Sequence, residues 1–332
     1  MVLLLNGKVV EFNPDELRAL LRDHPCSLEA YKLQNKPVQI VENNKNLLFL
    51  HQREMGIITQ QDPAVCFIGT DDATTCHFII LDCINAGLIG GAHLDGCGTD
   101  LFFDTFIYHV RKACEKYNYL RKLSTSKNLT DKETSDVSVQ SQFEISVFVV
   151  GGFIDDDGTS EKLSKDILLI MSDKYSDINF RLELFCVTDL NNRVKGGYNY
   201  PIFYGGLYNT RIHKIYPACF AKNAKEPQHI LRSTRFCSSP TIYNVYNPDE
   251  CFLQLNDFDY KGYENRSYYL QLSQAPDSRL RKFSTSPKQE REGYEASLRN
   301  VFRFMYDNPE PKLSMYDGDY GMRYKCDSKT GD

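Results

Sequence analysis

The sequence predicts an α/β (α+β) fold, on three observations. Apolar runs rich in β-branched and aromatic residues, each too short for a helix, occur at residues 65–68, 77–81, 143–150 and 182–187. Residues 99–117 and 160–171 instead space their apolar side chains by three and four, as helices with one buried face do. The third observation is size. At 332 residues, 42% hydrophobic and 25% charged, the chain can bury a sizeable core in one large domain or two closely packed ones.

Taken in order, residues 13–21 open with Asn13-Pro14-Asp15-Glu16, a polar cap followed by proline and early acids, which predicts a short packing helix. Pro37-Val38-Gln39-Ile40-Val41 and Leu47-Leu48-Phe49-Leu50 flank the turn-like Glu42-Asn43-Asn44-Lys45-Asn46, predicting a hairpin. Residues 65–68 and 77–81 read as buried strands around a polar stretch, and the helix at 99–117 is expected to cover one face of their sheet. In residues 122–142 Ser, Thr, Asp and Lys interleave with few apolar positions, so this stretch is expected to be a surface insertion outside the core. A strand at 143–150, a helix at 160–171 and a strand at 182–187 follow, then strand-like pieces at 202–208 and 214–216 with Thr210-Arg211 in the turn. From about residue 225 the chain is richer in Tyr, Asn, Asp and Pro, with a good helix at 294–306. The expected organisation is a core of residues 1–224 and a C-terminal region, 225–332, packed on it, its polar end at 325–332 fraying.

Composition narrows the function. A formal net charge of −5 gives no general attraction for phosphate backbones or anionic lipid, so neither nucleic acid nor membrane is an expected partner. The start has four consecutive apolar residues after Met1 and no basic flank, too few for a signal peptide or spanning helix, and a cytoplasmic or nuclear protein is expected. The eleven cysteines are irregularly spaced with no Cys-x-x-Cys pair, which argues against a disulfide framework and a structural zinc site.

One cysteine has a context that suits chemistry. Cys76 ends the polar, threonine-rich run Gly69-Thr70-Asp71-Asp72-Ala73-Thr74-Thr75-Cys76, where a thiol can be accessible and flanked by backbone N–H donors. The adjacent His77 would point to the opposite face of an extended chain, and is read as structural. His93 is the better base. If residues 76–81 and 92–94 form a hairpin closing near Ile84-Asn85, with Asn85-Ala86-Gly87 and Gly90-Gly91 as turn residues, Cys76 and His93 stand opposite each other. A third group to orient the base is offered by Thr70, with Asp71, Asp72 and Asp95 as carboxylate alternatives.

The run ending Thr75-Cys76-His77 resembles the first motif of the animal protein N-terminal asparagine amidohydrolases. Gln52-Arg53-Glu54, His93-Leu94-Asp95-Gly96, Val150-Gly151-Gly152-Phe153, Cys186-Val187-Thr188-Asp189-Leu190-Asn191 and Ser284-Thr285-Ser286-Pro287 match further motifs in the family's order. The family is similar to a wider group of cysteine hydrolases that includes chemotaxis-receptor deamidases and deamidating toxins. The resemblance implies an α-β-β sandwich with Cys76 as nucleophile, His93 as base and Thr70 as the hydroxyl six residues before the cysteine, a place where the amidohydrolases more often have Ser.

It also implies deamidation of an N-terminal Asn to Asp through a cysteine thioester, with no metal or organic cofactor. The partners implied are proteins or peptides starting with Asn, and a functional link to an arginyltransferase in N-degron degradation; a monomer is expected. Recognition of the chain terminus requires an acceptor for the α-ammonium, for which Asp71, Asp72 and Glu54 are candidates, with Thr75 and Asp95 as further groups near the carboxamide. Two other readings compete: a deamidase of internal Gln or Asn or another thiol amidohydrolase, and a non-catalytic peptide-binding regulatory protein.

Overall fold

The computed structural model describes residues 2–5, 8–11, 17, 24–126, 144–175, 178–262, 264–316 and 321–325, and only the backbone of 2–5, 8–11 and 116–126. The helix expected at 13–21 falls outside these residues except for Leu17, which is helical and buried. Most of the insertion expected at 122–142, and the end expected to fray, also fall outside them.

An eight-stranded sheet forms the middle layer. Its strands are β1 (Val2–Leu5), β2 (Lys8–Glu11), β5 (Glu54–Thr59), β7 (His77–Cys83), β8 (Leu88–Leu94), β9 (Glu144–Gly151), β10 (Asn179–Val187) and β15 (Tyr243–Asn244), in the order β15-β5-β8-β7-β9-β10-β1-β2. A five-stranded sheet lies over it, built from β3 (Gln39–Val41), β4 (Leu47–Phe49), β6 (Phe67–Thr70), β13 (Gly206–Asn209) and β14 (Lys214–Phe220), in the order β3-β14-β13-β6-β4. Two small sheets complete the fold, the ribbon β11 (Asn192–Lys195) with β12 (Tyr198–Pro201), and β16 (Tyr246–Asn247), β17 (Phe252–Leu255) and β18 (Met322–Lys325).

Strand β7 shows why its sequence is apolar at almost every position: it is buried on both faces. Ile79, Leu81 and Cys83 pack with Phe102, Phe106 and Val110 of the helix Thr99–Ser126 and Leu163 and Ile167 of the helix Thr159–Leu169. Phe78 and Ile80 face the other way, into a core shared with Leu48, Ile68, Tyr208 and Ile215 of the second sheet. Helices, sheet and second sheet therefore stack as an α-β-β sandwich. The second core runs on into the C-terminal region through Leu298 and Phe302 of the helix Tyr294–Asp307 and Tyr269 and Leu272 of the helix Arg266–Ser273.

Two expectations need correction. The stretches 37–41 and 47–50 are strands but not a hairpin: β3 pairs in parallel with β14 and β4 in parallel with β6, at opposite edges of the second sheet. The β7–β8 hairpin exists, but Phe78, not Cys76, stands opposite His93. Its closing pair is Cys83 and Leu88, around a single 3-10 turn at Ile84–Ala86 that ends on left-handed Gly87 (φ 66°), a longer connection than a two-residue turn. Gly90 and Gly91 are not turn residues. They lie inside β8, where a Cβ would come within 2.6 Å of Phe106 on the helical side and 2.7 Å of Ile68 on the other, so bare backbone lets both layers close on the strand.

Candidate active site

The register correction moves the hairpin by two positions, and because side chains alternate with period two, the faces are kept. His93 lies beside Phe78 on the side of the second sheet, and Cys76, one step before β7 on the same alternation, is its diagonal neighbour. Thr70 is the last residue of β6, so residues 71–76 carry the chain from one sheet to the other across the end of the sandwich. Thr70 Oγ1 and His93 Nδ1 are 2.6 Å apart, both buried.

That contact fixes the imidazole tautomer. Thr70 donates its one hydroxyl proton to the Leu50 carbonyl at 2.6 Å, so toward His93 it can only accept. Nδ1 therefore carries the proton, and the buried Nε2 lone pair has no partner among the described residues. Burial pushes the imidazole down to about 4, against the pull of Asp95, Asp72 and Glu54, so it is neutral near pH 7. Cys76 is half-buried, and its thiol is held well above its ordinary pKa by burial and by the Asp95 and Glu290 charges. The resting pair is a thiol and a neutral base with a free acceptor nitrogen, and no hydrogen bond joins them.

The loop is pinned at every turn. Asp71 accepts from the Phe220 N–H at 3.0 Å, the Asp72 N–H at 2.9 Å and Arg291 Nη1 at 2.8 Å. Asp72, in left-handed backbone (φ 59°), pairs with Lys225. The Ala73 N–H donates to the Tyr204 carbonyl at 2.8 Å, and Thr75 Oγ1 meets Thr285 Oγ1 at 2.7 Å. The Gly152 N–H donates to the Cys76 carbonyl at 2.9 Å, which brings the end of β9 against the cysteine: a Cβ on Gly151 (φ 137°) would sit 2.4 Å from that carbonyl oxygen. Asn191 holds this corner from behind, donating to the Gly152 and Phe203 carbonyls at 2.7 and 3.1 Å.

The remaining candidates separate. His77 points to the helical layer, where Nε2 meets Ser164 Oγ at 2.7 Å. Asp95 is clamped by Gln52 Nε2 and Arg53 Nε, each at 2.7 Å, and by the Cys97 N–H at 2.9 Å. Burial alone would raise its carboxyl pKa, and these donors bring it below the ordinary value. Glu54 is fully buried with its two oxygens taken by Arg232 and Arg235. Burial would raise it too, and the guanidinium groups bring it down to about 2. Gln52, Arg53, Lys225, Arg291, Asn191 and Thr285 thus join the site region without having been candidates. The motifs around Gln52-Arg53, Asn191 and Thr285 carry a signal for them, whereas Lys225 and Arg291 have none. Beside Asp72 and Lys225 a groove of about 360 Å³ opens, lined also by Gln52, Phe220, Tyr294 and Leu298.

Comparisons with known proteins identify the chain's relatives. Residues 36–332 match the family described as Protein N-terminal asparagine amidohydrolase. Curated proteins of that name from Sus scrofa and Homo sapiens are each 28% identical over 326 residues, covering 98% of this chain and 95% of theirs. One from Arabidopsis thaliana is 25% identical over 289 residues, covering 79% of this chain and 74% of its own. With the match running over most of its length, the chain belongs to the family of protein N-terminal asparagine amidohydrolases.

Proposed function

We propose that the protein hydrolyses the side-chain amide of an N-terminal asparagine, with Cys76 as nucleophile, His93 as base and Thr70 as the residue that orients the base. The observation that carries the reading is the His93 ring: Nδ1 is committed to Thr70, and Nε2, on the face that Cys76 shares, has no partner among the described residues. Family membership supports the substrate.

In the proposed reaction the Cys76 thiol gives its proton to His93 Nε2 as sulfur attacks the carboxamide carbon. The carbonyl π electrons move to oxygen, and the oxyanion is held by backbone donors that include the Cys76 N–H, which has no hydrogen-bond partner among the described residues. His93 returns the proton to the amide nitrogen, the C–N bond breaks, and ammonia leaves a thioester. Water then attacks with its proton passing to Nε2, the C–S bond breaks, the thiol is regenerated and the terminus is aspartate. The substrate backbone leaves along the groove beside Asp72 and Lys225. In this reading the enzyme is cytosolic and stands upstream of arginylation and degradation in the N-degron pathway.

Mass spectrometry of peptides starting with Asn, Gln or acetyl-Asn tests the proposal. Conversion of the free Asn peptide alone is expected, with Cys76→Ala and His93→Ala lower by at least about 1000-fold. An unchanged rate in either variant, or conversion of the blocked or internal residue, refutes it.

A further inference from the structure

Glu54, at the start of β5, and its two arginines form a buried cluster with more positive charge than negative. Glu54 pairs with Arg232 and Arg235, each only 1% exposed. Among the described residues it is the one carboxylate in an ion pair with either arginine. One carboxylate therefore faces two guanidinium groups, which keep their protons in proteins, and a surplus positive charge lies out of reach of water.

The two arginines use their donors unequally. Arg232 turns its Nε–Nη2 edge to Glu54, at 3.0 Å from Nε and 2.6 Å from Nη2, and also donates to the Phe49, Lys225 and Pro227 carbonyls. On that edge two N–H bonds run parallel, the fork that holds carboxylates and other anions. Arg235 reaches Glu54 through Nη1. Its own fork, Nε and Nη2, is buried with no hydrogen-bond partner among the described residues.

No neighbouring ring supplies the missing acceptor. Tyr243 and Phe258 lie 4.6 and 5.1 Å from the central carbon of the Arg235 guanidinium and attract its charge, but the Tyr243 hydroxyl is engaged with Ser238 at 2.9 Å. Tyr316 packs edge-on against Phe258, ring centroids 6.5 Å apart, and its hydroxyl is also buried with no partner among the described residues. Arg235 and Tyr316 each perturb the other's ionisation, so fork and hydroxyl share one buried environment.

Two N–H donors, an O–H donor and a surplus positive charge specify one kind of ligand. We propose that Arg235 and Tyr316 form a binding site for a small monovalent anion of the size of chloride. A buried water would satisfy the donors and leave the charge uncompensated, whereas the anion does both. A divalent anion would reverse the imbalance, and the burial of Arg235 excludes bulky ones. The ion joins the turn Thr234–Cys237, which carries Arg235, to the segment that carries Tyr316, and its contribution is to stability.

The test measures thermal midpoints while sodium chloride replaces sodium gluconate at constant ionic strength, in wild type, Tyr316→Phe and Arg235→Lys. The wild-type midpoint should rise by about 3 °C or more and level off, as filling of a site requires. Tyr316→Phe removes one donor and should need about 10-fold more chloride for half the rise. Arg235→Lys keeps the charge beside Glu54 without the fork, and should lose the rise. Crystals of wild type grown in bromide should show an anomalous peak within hydrogen-bond reach of Arg235 Nε and Nη2. Should Arg235→Lys not fold, Tyr316→Phe and the bromide peak decide. The proposal is overturned, in favour of a buried water, by a wild-type midpoint that does not respond to chloride, by absence of the bromide peak, or by a Tyr316→Phe titration that matches wild type.

Discussion

Thr70 shows how one side chain can set the chemistry of another. With its proton given to the Leu50 carbonyl, it accepts from His93 Nδ1 and leaves Nε2 as the basic atom. Thr70→Ala should therefore leave KM near wild type and lower kcat by about 10- to 100-fold, as loss of an orienting partner does, while Thr70→Ser keeps most of the rate. Steady-state kinetics check this, and equal loss in both variants would mean that the methyl group, not the hydroxyl, matters. Cys76 is legible in the sequence because a polar loop between two apolar runs announces an exposed chain crossing. His93 is legible through strand alternation, which survives a register slip of two positions. Arg291 and Lys225 are not legible from spacing, because each reaches the loop from more than 150 residues away through tertiary packing.

At the scale of elements, the site exists because three chain segments meet at one end of the sandwich: the crossing from β6 to β7, the end of β8 and the end of β9. Strand identity follows from short apolar runs, which explains why β7, β9 and β10 sit close to their expected places. Partnership does not follow, because β3 and β4, separated by only the five residues 42–46 of an ordinary turn sequence, are drawn to opposite edges of a sheet whose centre comes from residues 206–220. The β9 end imposes the tightest demand. Gly151→Ala would place a Cβ against the Cys76 carbonyl in backbone that side chains rarely adopt. It should lower stability by about 1–3 kcal/mol and, by displacing Cys76, reduce activity further than the stability loss accounts for. Urea unfolding together with the Cys76 alkylation rate reads both effects, and wild-type values in both would show that the corner relaxes without cost.

For the whole molecule, the question is what binds the C-terminal region to the sandwich that carries Cys76. Part of the answer is apolar, since Leu298 and Phe302 share the core of Phe78 and Ile80. The other part is a buried ionic knot: Glu54, at the start of β5, accepts from Arg232 and Arg235, and Arg232 also donates to the Phe49 carbonyl at the end of β4. Both arginines are almost fully buried, so removing the acid leaves two uncompensated cations. Glu54→Ala should cost about 3–5 kcal/mol, the usual result of breaking a buried pair from one side. The pH dependence has a definite sign. The folded carboxyl, near 2, lies below its unfolded value of about 4.3, so the contribution is complete above the unfolded value and is lost as pH falls toward 2. That difference corresponds to about 3 kcal/mol, so wild-type stability should fall steeply between about pH 4.5 and pH 2, and Glu54→Gln, already weaker at pH 7, should show a shallower slope there. Urea midpoints across that range decide the matter. Parallel slopes for wild type and Glu54→Gln would mean that the acid sensitivity resides elsewhere, and the apolar core would then be the principal attachment of the C-terminal region.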